Sequence, residues 1–248
     1  MNAPIDFRRI LGLDIAILTR DAAVRTLEQR ICQRNPVRLA FVNANLANMA
    51  YKDALLRQSL QNFLLVNDGV GLEIASRILY GKGFPDNLNG TDFIPYFLGK
   101  CRAPLNVFML GARPAVILRA ANAFLQRWPD HKLVGFHHGF FAGDEDRVLE
   151  LVKQARPDLV LVAMGNGLQE CIVARLVPDV AQSAWAVGAL FDFIAGDVRR
   201  APLWMRKNGL EWGYRFWQEP LRLWRRYLAG NPAFIIRVLR KRASRKEN

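Results

Sequence analysis

The sequence predicts an α/β protein: an open, mainly parallel sheet followed by a basic, helical C-terminal appendage. Three observations predict it. Short apolar runs alternate with helix-period stretches through the first 197 residues, the pattern of βαβ units. Several of those runs end in polar loops containing glycine, as strands do where they meet a ligand edge. The charge then changes abruptly. Residues 198–248 hold 14 Lys/Arg against 3 Asp/Glu, net +11, whereas residues 1–197 hold 21 against 19, net +2.

In chain order, Val37–Val42 is the first apolar run that reads as a strand, and Leu46–Leu60 follows with a helical period. Phe63–Val66, Asn106–Leu110, Lys132–Phe136, Leu159–Ala163 and Ala184–Val187 are the remaining strand expectations. Pro114 stands just after Gly111-Ala112-Arg113, which suits a strand, a tight turn and a helix start, so Pro114–Gln126 is read as a helix. Glu145–Gln154 is another. The result is a Rossmann-like arrangement in residues 1–197, with residues 198–248 as the appendage. No internal repeat or low-complexity linker interrupts it.

The chain has 248 residues, 51% of them apolar, enough to bury a substantial core. Its three cysteines, Cys32, Cys101 and Cys171, are widely spaced and odd in number, which excludes a disulfide framework using all three and fits a reducing compartment. Met1–Arg9 is polar and charged, without the apolar stretch of a signal peptide. No apolar run approaches the roughly 20 residues of a membrane span. The expectation is a cytoplasmic protein, peripheral on the inner face of the cell membrane.

Four of the six tryptophans, Trp204, Trp212, Trp217 and Trp224, fall within the basic tail. Such a tail suits nucleic acid, an anionic membrane surface or a phosphorylated ligand. Helical patterns run over Gly209–Trp217 and Leu221–Leu228, with Pro220 ending or kinking the first. In Ala233–Arg242, Phe234, Ile235, Val238 and Leu239 form an apolar stripe beside Arg237, Arg240, Lys241 and Arg242. That stripe is expected to lie in a membrane interface; packing on the body is the alternative. An oligomer interface looks the same in sequence, so a homo-oligomer stays open.

Several residues can carry chemistry. Asp68 follows the strand Phe63–Val66 and precedes Gly69. It either deprotonates an incoming hydroxyl, binds a sugar hydroxyl, or caps the next helix. Thr91 or Asp92 in Asn89-Gly90-Thr91-Asp92 caps the helix that follows, or offers a second carboxylate to a sugar. Gly165-Asn166-Gly167 ends the strand Leu159–Ala163 and admits close approach of a ligand to the backbone, with Gln169 and Glu170 next to it. Asp192, near Arg199 and Arg200, either joins the same edge or orients those arginines. In the tail, Arg222, Arg225 and Arg226 have the spacing to cluster on one helix face, with Arg215 seven residues before Arg222. Guanidinium groups there suit a diphosphate, the alternative being a solvated or lipid-facing basic helix. His131, His137 and His138 lack a zinc spacing, and no metal site is expected. A dinucleotide fingerprint, a Walker A sequence and a Gly-x-Ser-x-Gly elbow are all absent from the sequence.

Taken together, the segments FVNANLANMAYKD (Phe41–Asp53), VNDGVGLEIASRILYG (Val66–Gly81), NGTDFIPYF (Asn89–Phe97), VFMLGARP (Val107–Pro114), GNGLQE (Gly165–Glu170), VGALFDFIAGDVRRAPLWM (Val187–Met205) and GLEWGYRFWQEPLRLWRRYLAGNPAF (Gly209–Phe234) resemble the WecG/TagA/CpsF family of bacterial glycosyltransferases. The resemblance implies an inverting, metal-independent transferase for hexosyl or N-acetylhexosaminyl groups. Its donor would be a UDP-sugar, and its acceptor a polyprenyl-diphosphate-linked saccharide of surface or exopolysaccharide synthesis. It implies no cofactor. Carried onto this chain, Asp68 is the catalytic base and Asn43 and Gln169 lie near the sugar. Arg215, Arg222 and Arg225 face phosphate. Thr91, Asp92, Glu170 and Asp192 complete the substrate-binding expectation. Two positions depart from the family pattern: Phe41 stands where threonine is common, and Gly167 replaces the usual proline. A basic nucleic-acid-binding module without transferase activity is the competing expectation, and it predicts strongly salt-dependent binding to DNA or RNA.

Overall fold

The computed structural model describes residues 4–202, 204–205 and 210–246, with only the backbone of Arg222, Arg245 and Lys246. The chain opens with the hairpin β1 (Phe7–Ile10) and β2 (Leu13–Ala16), then α1 (Arg20–Cys32), β3 (Val37–Val42), α2 (Ala44–Lys52) and α3 (Ala54–Leu60). It continues with β4 (Leu64–Asn67), α4 (Val70–Tyr80), α5 (Gly90–Lys100), β5 (Asn106–Gly111), α6 (Pro114–Arg127), β6 (Lys132–His137) and α7 (Glu145–Ala155). Next are β7 (Leu159–Ala163), α8 (Leu168–Leu176), β8 (Ser183–Ala186) and α9 (Leu190–Ile194). The tail holds α10 (Glu211–Gln218), α11 (Pro220–Trp224), a π-helical turn (Arg225–Gly230) and α12 (Asn231–Lys246).

The eight strands form one sheet in the order β1-β2-β4-β3-β8-β7-β5-β6. Among the described residues only the β1–β2 pairing is antiparallel. The fold class expected from the sequence is therefore the fold observed. Central strands are covered on both faces, which is why they read as unbroken apolar runs. In β3, Leu39 and Phe41 enter one core layer while Ala40 and Val42 enter the other. The aromatic heart of the first layer is Phe41, Phe93, Phe97 and Trp185, with the Phe97 and Trp185 ring centroids 4.6 Å apart.

Two local expectations change. The β1–β2 hairpin was not among the expected strands, because an edge strand of four residues with alternating exposure leaves little apolar signal. Its turn uses two left-handed residues, Leu11 (φ 49°) and Gly12 (φ 87°), as tight hairpins require. The single helix expected over Leu46–Leu60 is two. Asp53 ends α2, and its Oδ1 accepts from the backbone N–H groups of Leu55 (2.9 Å) and Leu56 (3.1 Å), starting α3 in a new direction.

The C-terminal segment returns to the body. Helix α12 lies against α2 and α4, and Phe234 and Val238 are completely buried in the second core layer. Small residues make the seat: a Cβ added to Gly71 would lie 3.3 Å from Ala44 Cβ and 3.9 Å from the Phe234 ring. The stripe expected at a membrane interface is thus chiefly a packing stripe, with Ile235 partly buried and only Leu239 largely exposed. Burying Phe234 and Val238 in an apolar core satisfies the same hydrophobic demand that lipid would. Asn48 secures the junction. Its Nδ2 donates to Gly230 O at 2.7 Å, and its Oδ1 accepts from Arg237, whose guanidinium stacks 4.7 Å from the Tyr51 ring centroid. Among the described residues no helix is long and apolar enough to cross a membrane.

Candidate active site

Strand β3 hands the chain to β4 on one side, while β5 and the strands after it lie across β8 on the other. In sheets of this order the ligand crevice lies at that reversal, beyond the carboxyl ends of the central strands. Three polar residues meet there from three strand ends. Asn43 follows β3, Asp68 follows β4 and Asn166 follows β7.

Asn43 is the N-cap of α2. Its Oδ1 accepts from Asn45 N and Leu46 N, each at 3.1 Å, and from Asn166 Nδ2 at 3.3 Å. Its Nδ2 donates to Asp68 Oδ2 at 3.3 Å. Asp68 is not a helix cap. Gly69, at φ 85°, takes that position for α4 without a side chain, and its N–H donates to Asn87 Oδ1 at 2.9 Å. The capping alternative is therefore excluded, and the Asp68 carboxylate takes its hydrogen bond from Asn43 at the neighbouring strand end. Burial pushes its carboxyl above the ordinary range, opposed by the Asn43 hydrogen bond and then by the positive charges of Arg226 and Arg215; Asp92 pushes it further up.

The arginines reach this edge from the tail. Arg215 on α10 is half-buried, its guanidinium 5.2 Å from the Phe193 ring centroid, and its Nε is buried without a hydrogen-bond partner. Arg200 covers the same ring at 5.0 Å. Arg200 also donates to Asp92 Oδ1 at 2.6 Å and to Thr91 O, and lies 3.8 Å from Glu211, so it ties α5 to the C-terminal segment. Arg225 is exposed and rests over Trp224 (5.2 Å), while Arg226 is half-buried and is the neighbour whose charge acts on Asp68. The π-helical turn breaks the 3.6-residue period on which clustering with Arg222 was expected. The Arg222 side chain lies outside the described residues.

Helix α5 is capped by neither Thr91 nor Asp92. Asn89 caps it, its Oδ1 accepting from Asp92 N and Thr91 Oγ1, both at 2.9 Å. Asn89 Nδ2 donates to Asp92 Oδ2 at 2.9 Å, which leaves Asp92 braced between Asn89 and Arg200. Asn in this role follows the same rule that suggested Thr91 or Asp92; the register was misjudged by two or three positions.

Gln169 and Glu170 are buried and engaged within the protein. Glu170 accepts from Gly167 N at 2.5 Å and from Gln169 Nε2 at 2.8 Å, while Gln169 Oε1 accepts from Gly188 N at 3.0 Å. They lace the loop after β7 to the loop after β8. Burial pushes the Glu170 carboxyl up. Asp192 lies with Arg113, Asp197, Val198, Gln218 and Glu219 around a cavity of about 480 Å³ where β5 gives way to α6. A larger cavity of about 580 Å³, lined by Phe7, Leu13 and Phe63, sits at the opposite end of the sheet, remote from Asp68. Among the described residues no group of three or more His, Cys, Asp or Glu is placed to hold a metal ion.

Both departures from the family pattern have structural consequences. Phe41 is 5% exposed and packs in the aromatic cluster, its ring 3.1 Å from where a Cβ on Gly90 would stand, so its bulk goes to the core. Gly167 has φ 90°, which proline, held near −65°, cannot adopt. Sequence reasoning missed Asn166 as a site residue, and it placed Arg226 in the basic cluster without carrying it into the phosphate-facing set. Asn166 stood between the two glycines of a loop already singled out; Arg226 carried no signal that distinguished it from Arg225.

The sequence profile of the Glycosyl transferase WecG/TagA/CpsF family matches residues 8–248. Individual proteins agree with it. The chain is 30% identical to an N-acetylglucosaminyldiphosphoundecaprenol N-acetyl-beta-D-mannosaminyltransferase of Bacillus subtilis (strain 168), over 84% of this chain and 81% of that protein. A protein of the same name from Bacillus spizizenii is 31% identical, covering 73% of this chain and 70% of its own. Another from Staphylococcus aureus (strain MW2) is 27% identical, covering 96% and 94% respectively. With the strand-end crevice and the match over nearly the whole chain both in hand, the protein belongs to the WecG/TagA/CpsF family and is a glycosyltransferase.

Proposed function

We propose that this glycosyltransferase moves an N-acetylhexosaminyl group from a UDP-sugar to a polyprenyl-diphosphate-linked saccharide by a single inverting displacement, without a metal. The observation that carries the reading is Asp68 in the crevice, held by Asn43 and faced by the charges of Arg226 and Arg215. An acceptor hydroxyl oxygen attacks the anomeric carbon as Asp68 takes its proton. The bond from that carbon to the diphosphate oxygen breaks, and UDP leaves with the electron pair. Arg215 and Arg226 compensate the charge that develops on the diphosphate. An α-linked nucleotide sugar that yields the β-linkage in the relatives' names requires net inversion, the outcome of one displacement. Those names also favour N-acetylmannosamine as donor sugar and an N-acetylglucosaminyl-diphosphate lipid as acceptor.

Transfer by Asp68→Asn, measured with UDP-N-acetylmannosamine and a synthetic lipid-diphosphate acceptor, should fall by roughly 10²–10⁴-fold, with UDP binding retained. Near-normal turnover would remove the base assignment.

The C-terminal segment also serves as the contact with an anionic membrane surface. Trp217 is 78% exposed and Leu221 90%, with Trp204, Trp212, Trp224 and Leu228 exposed beside the basic residues. Aromatic and aliphatic side chains interleaved with arginine suit the headgroup boundary. Replacing Trp217 and Leu221 with Ser should lower binding to phosphatidylglycerol-containing vesicles and leave the thermal melting temperature nearly unchanged. Equal vesicle binding would place the membrane contact elsewhere.

A further inference from the structure

We infer that Asn166 is a positioning residue for Asp68, acting as the one donor from outside α2 that steadies the Asn43 amide with its Nδ2 toward the carboxylate; the inference rests on the proposed role of Asp68 as base. The Asn43 side chain has one acceptor and one donor end, and only the donor end can support an ionised Asp68. Its Oδ1 collects three N–H groups: two from the α2 backbone, Asn45 N and Leu46 N at 3.1 Å, and one from Asn166 Nδ2 at 3.3 Å. With Oδ1 so occupied, Nδ2 is turned to Asp68 Oδ2 at 3.3 Å. The amide orientation therefore follows from the hydrogen-bond network, the proper criterion for an asparagine.

The two backbone donors come from Asn43's own helix and suffice for capping. Asn166 is the contribution from across the crevice, and a specific loop delivers it. Gly165 (φ 85°) and Gly167 (φ 90°) flank it in conformations that suit glycine alone. A Cβ on Gly167 would lie 2.7 Å from Met49 Cε. Below the loop, Glu170 accepts from Gly167 N, and Gln169 holds Gly188 N. The buried Gln169–Glu170 pair thus keeps the Asn166 loop in place from beneath. The charged groups facing Asp68 are Arg226 from the π-helical turn, Arg215 from α10 and Asp92 from α5. The hydrogen bond of Asn166 goes to Asn43 and to none of these.

The experiment is a ¹³C-carboxyl NMR titration of the full chain labelled at aspartate, with the Asp68 signal assigned by its loss in Asp68→Asn. Asn166→Leu removes the donor. Gly167→Ala moves the same amide without deleting it and serves as the independent variant should the first not fold. In either folded variant Asn43 Oδ1 keeps its two α2 donors but loses the one from across the sheet edge, its hold on Asp68 Oδ2 loosens, and the Asp68 titration midpoint should rise above that of the wild type. The acid limb of kcat for transfer should move the same way, with kcat at neutral pH down roughly tenfold and KM for the UDP-sugar little changed. Restoring the donor with Asn166→Gln should recover part of the loss. An unchanged Asp68 midpoint overturns the inference. Normal transfer by Asp68→Asn instead overturns the base assignment, and the NMR result is read separately from it.

Discussion

Asp68 and Glu170 are both carboxylates at strand-end loops of one sheet edge, and burial pushes both above the ordinary carboxylate range. They differ in what surrounds them. Glu170 is completely buried, and its two oxygens accept from Gly167 N and Gln169 Nε2, partners one and three residues away. Asp68 is half-buried, with one hydrogen bond from an amide on another strand end and two arginine charges reaching it from the tail. One acid completes the protein's own hydrogen bonding. The other is left with acceptor capacity toward a ligand. A raised proton affinity alone does not separate a structural acid from a reactive one; the source and number of its donors does.

The comparison can be broken in order of expected effect. The largest is the loss of transfer in Asp68→Asn, set against the much smaller loss, roughly tenfold at most, expected of a folded Glu170 variant whose Asn166 loop is loosened. Next, Glu170→Ala strips the acceptor from Gly167 N and Gln169 Nε2 and should lower unfolding free energy by roughly 1–3 kcal/mol, read by denaturant melts. A Glu170→Ala protein as stable as wild type would show that the lacing is dispensable.

A smaller effect of opposite sign is expected for Asp68. Its folded-state proton affinity is raised, so the ionised form costs stability above the folded pKa, and this cost disappears below the unfolded one. Asp68→Asn should therefore melt above wild type at neutral pH, with the difference shrinking as the pH is lowered through the Asp68 titration. A variant that melts lower at neutral pH would mean that Asn43 and the arginines outweigh burial. The smallest effect separates two neighbours in the tail. Arg226→Ala should raise the Asp68 midpoint because a compensating charge is lost, whereas Arg225→Ala, exposed over Trp224, should leave it unmoved. Equal shifts in both would mean that the effect is long-range and not specific to Arg226.

The same contrast explains what was legible beforehand. Asp68 was found as a polar residue at the end of a recognisable apolar run, whereas Asn43 was reached only through the resemblance of its segment to the family. Gln169 and Glu170 carry an equally distinctive motif, yet whether a side chain turns toward the crevice or beneath the loop depends on φ at Gly165 and Gly167, which residue names alone do not state. Asn89 in place of Thr91 or Asp92 as the cap is a shift along one turn, the usual limit of boundary reading. Arg226 is different again. An α-helical wheel gives it no privilege over Arg225; its partial burial and its charge on Asp68, seen only in the folded chain, do.

The sequence by itself determined the sheet, its mainly parallel order class and the uneven charge, because apolar period and charge density are properties of neighbouring residues. It also determined the family, through segments whose order is read directly from the chain. The tertiary structure alone decided that Phe234 and Val238 enter the core, that Asn43, Asp68 and Asn166 converge from three strand ends, and that Arg226 faces the base. Those outcomes depend on contacts between residues 25 to 150 or more positions apart. Long-range packing sets them, and a hydrophobic stripe fits lipid, a partner or its own core equally well until the seat made by Ala44 and Gly71 is seen.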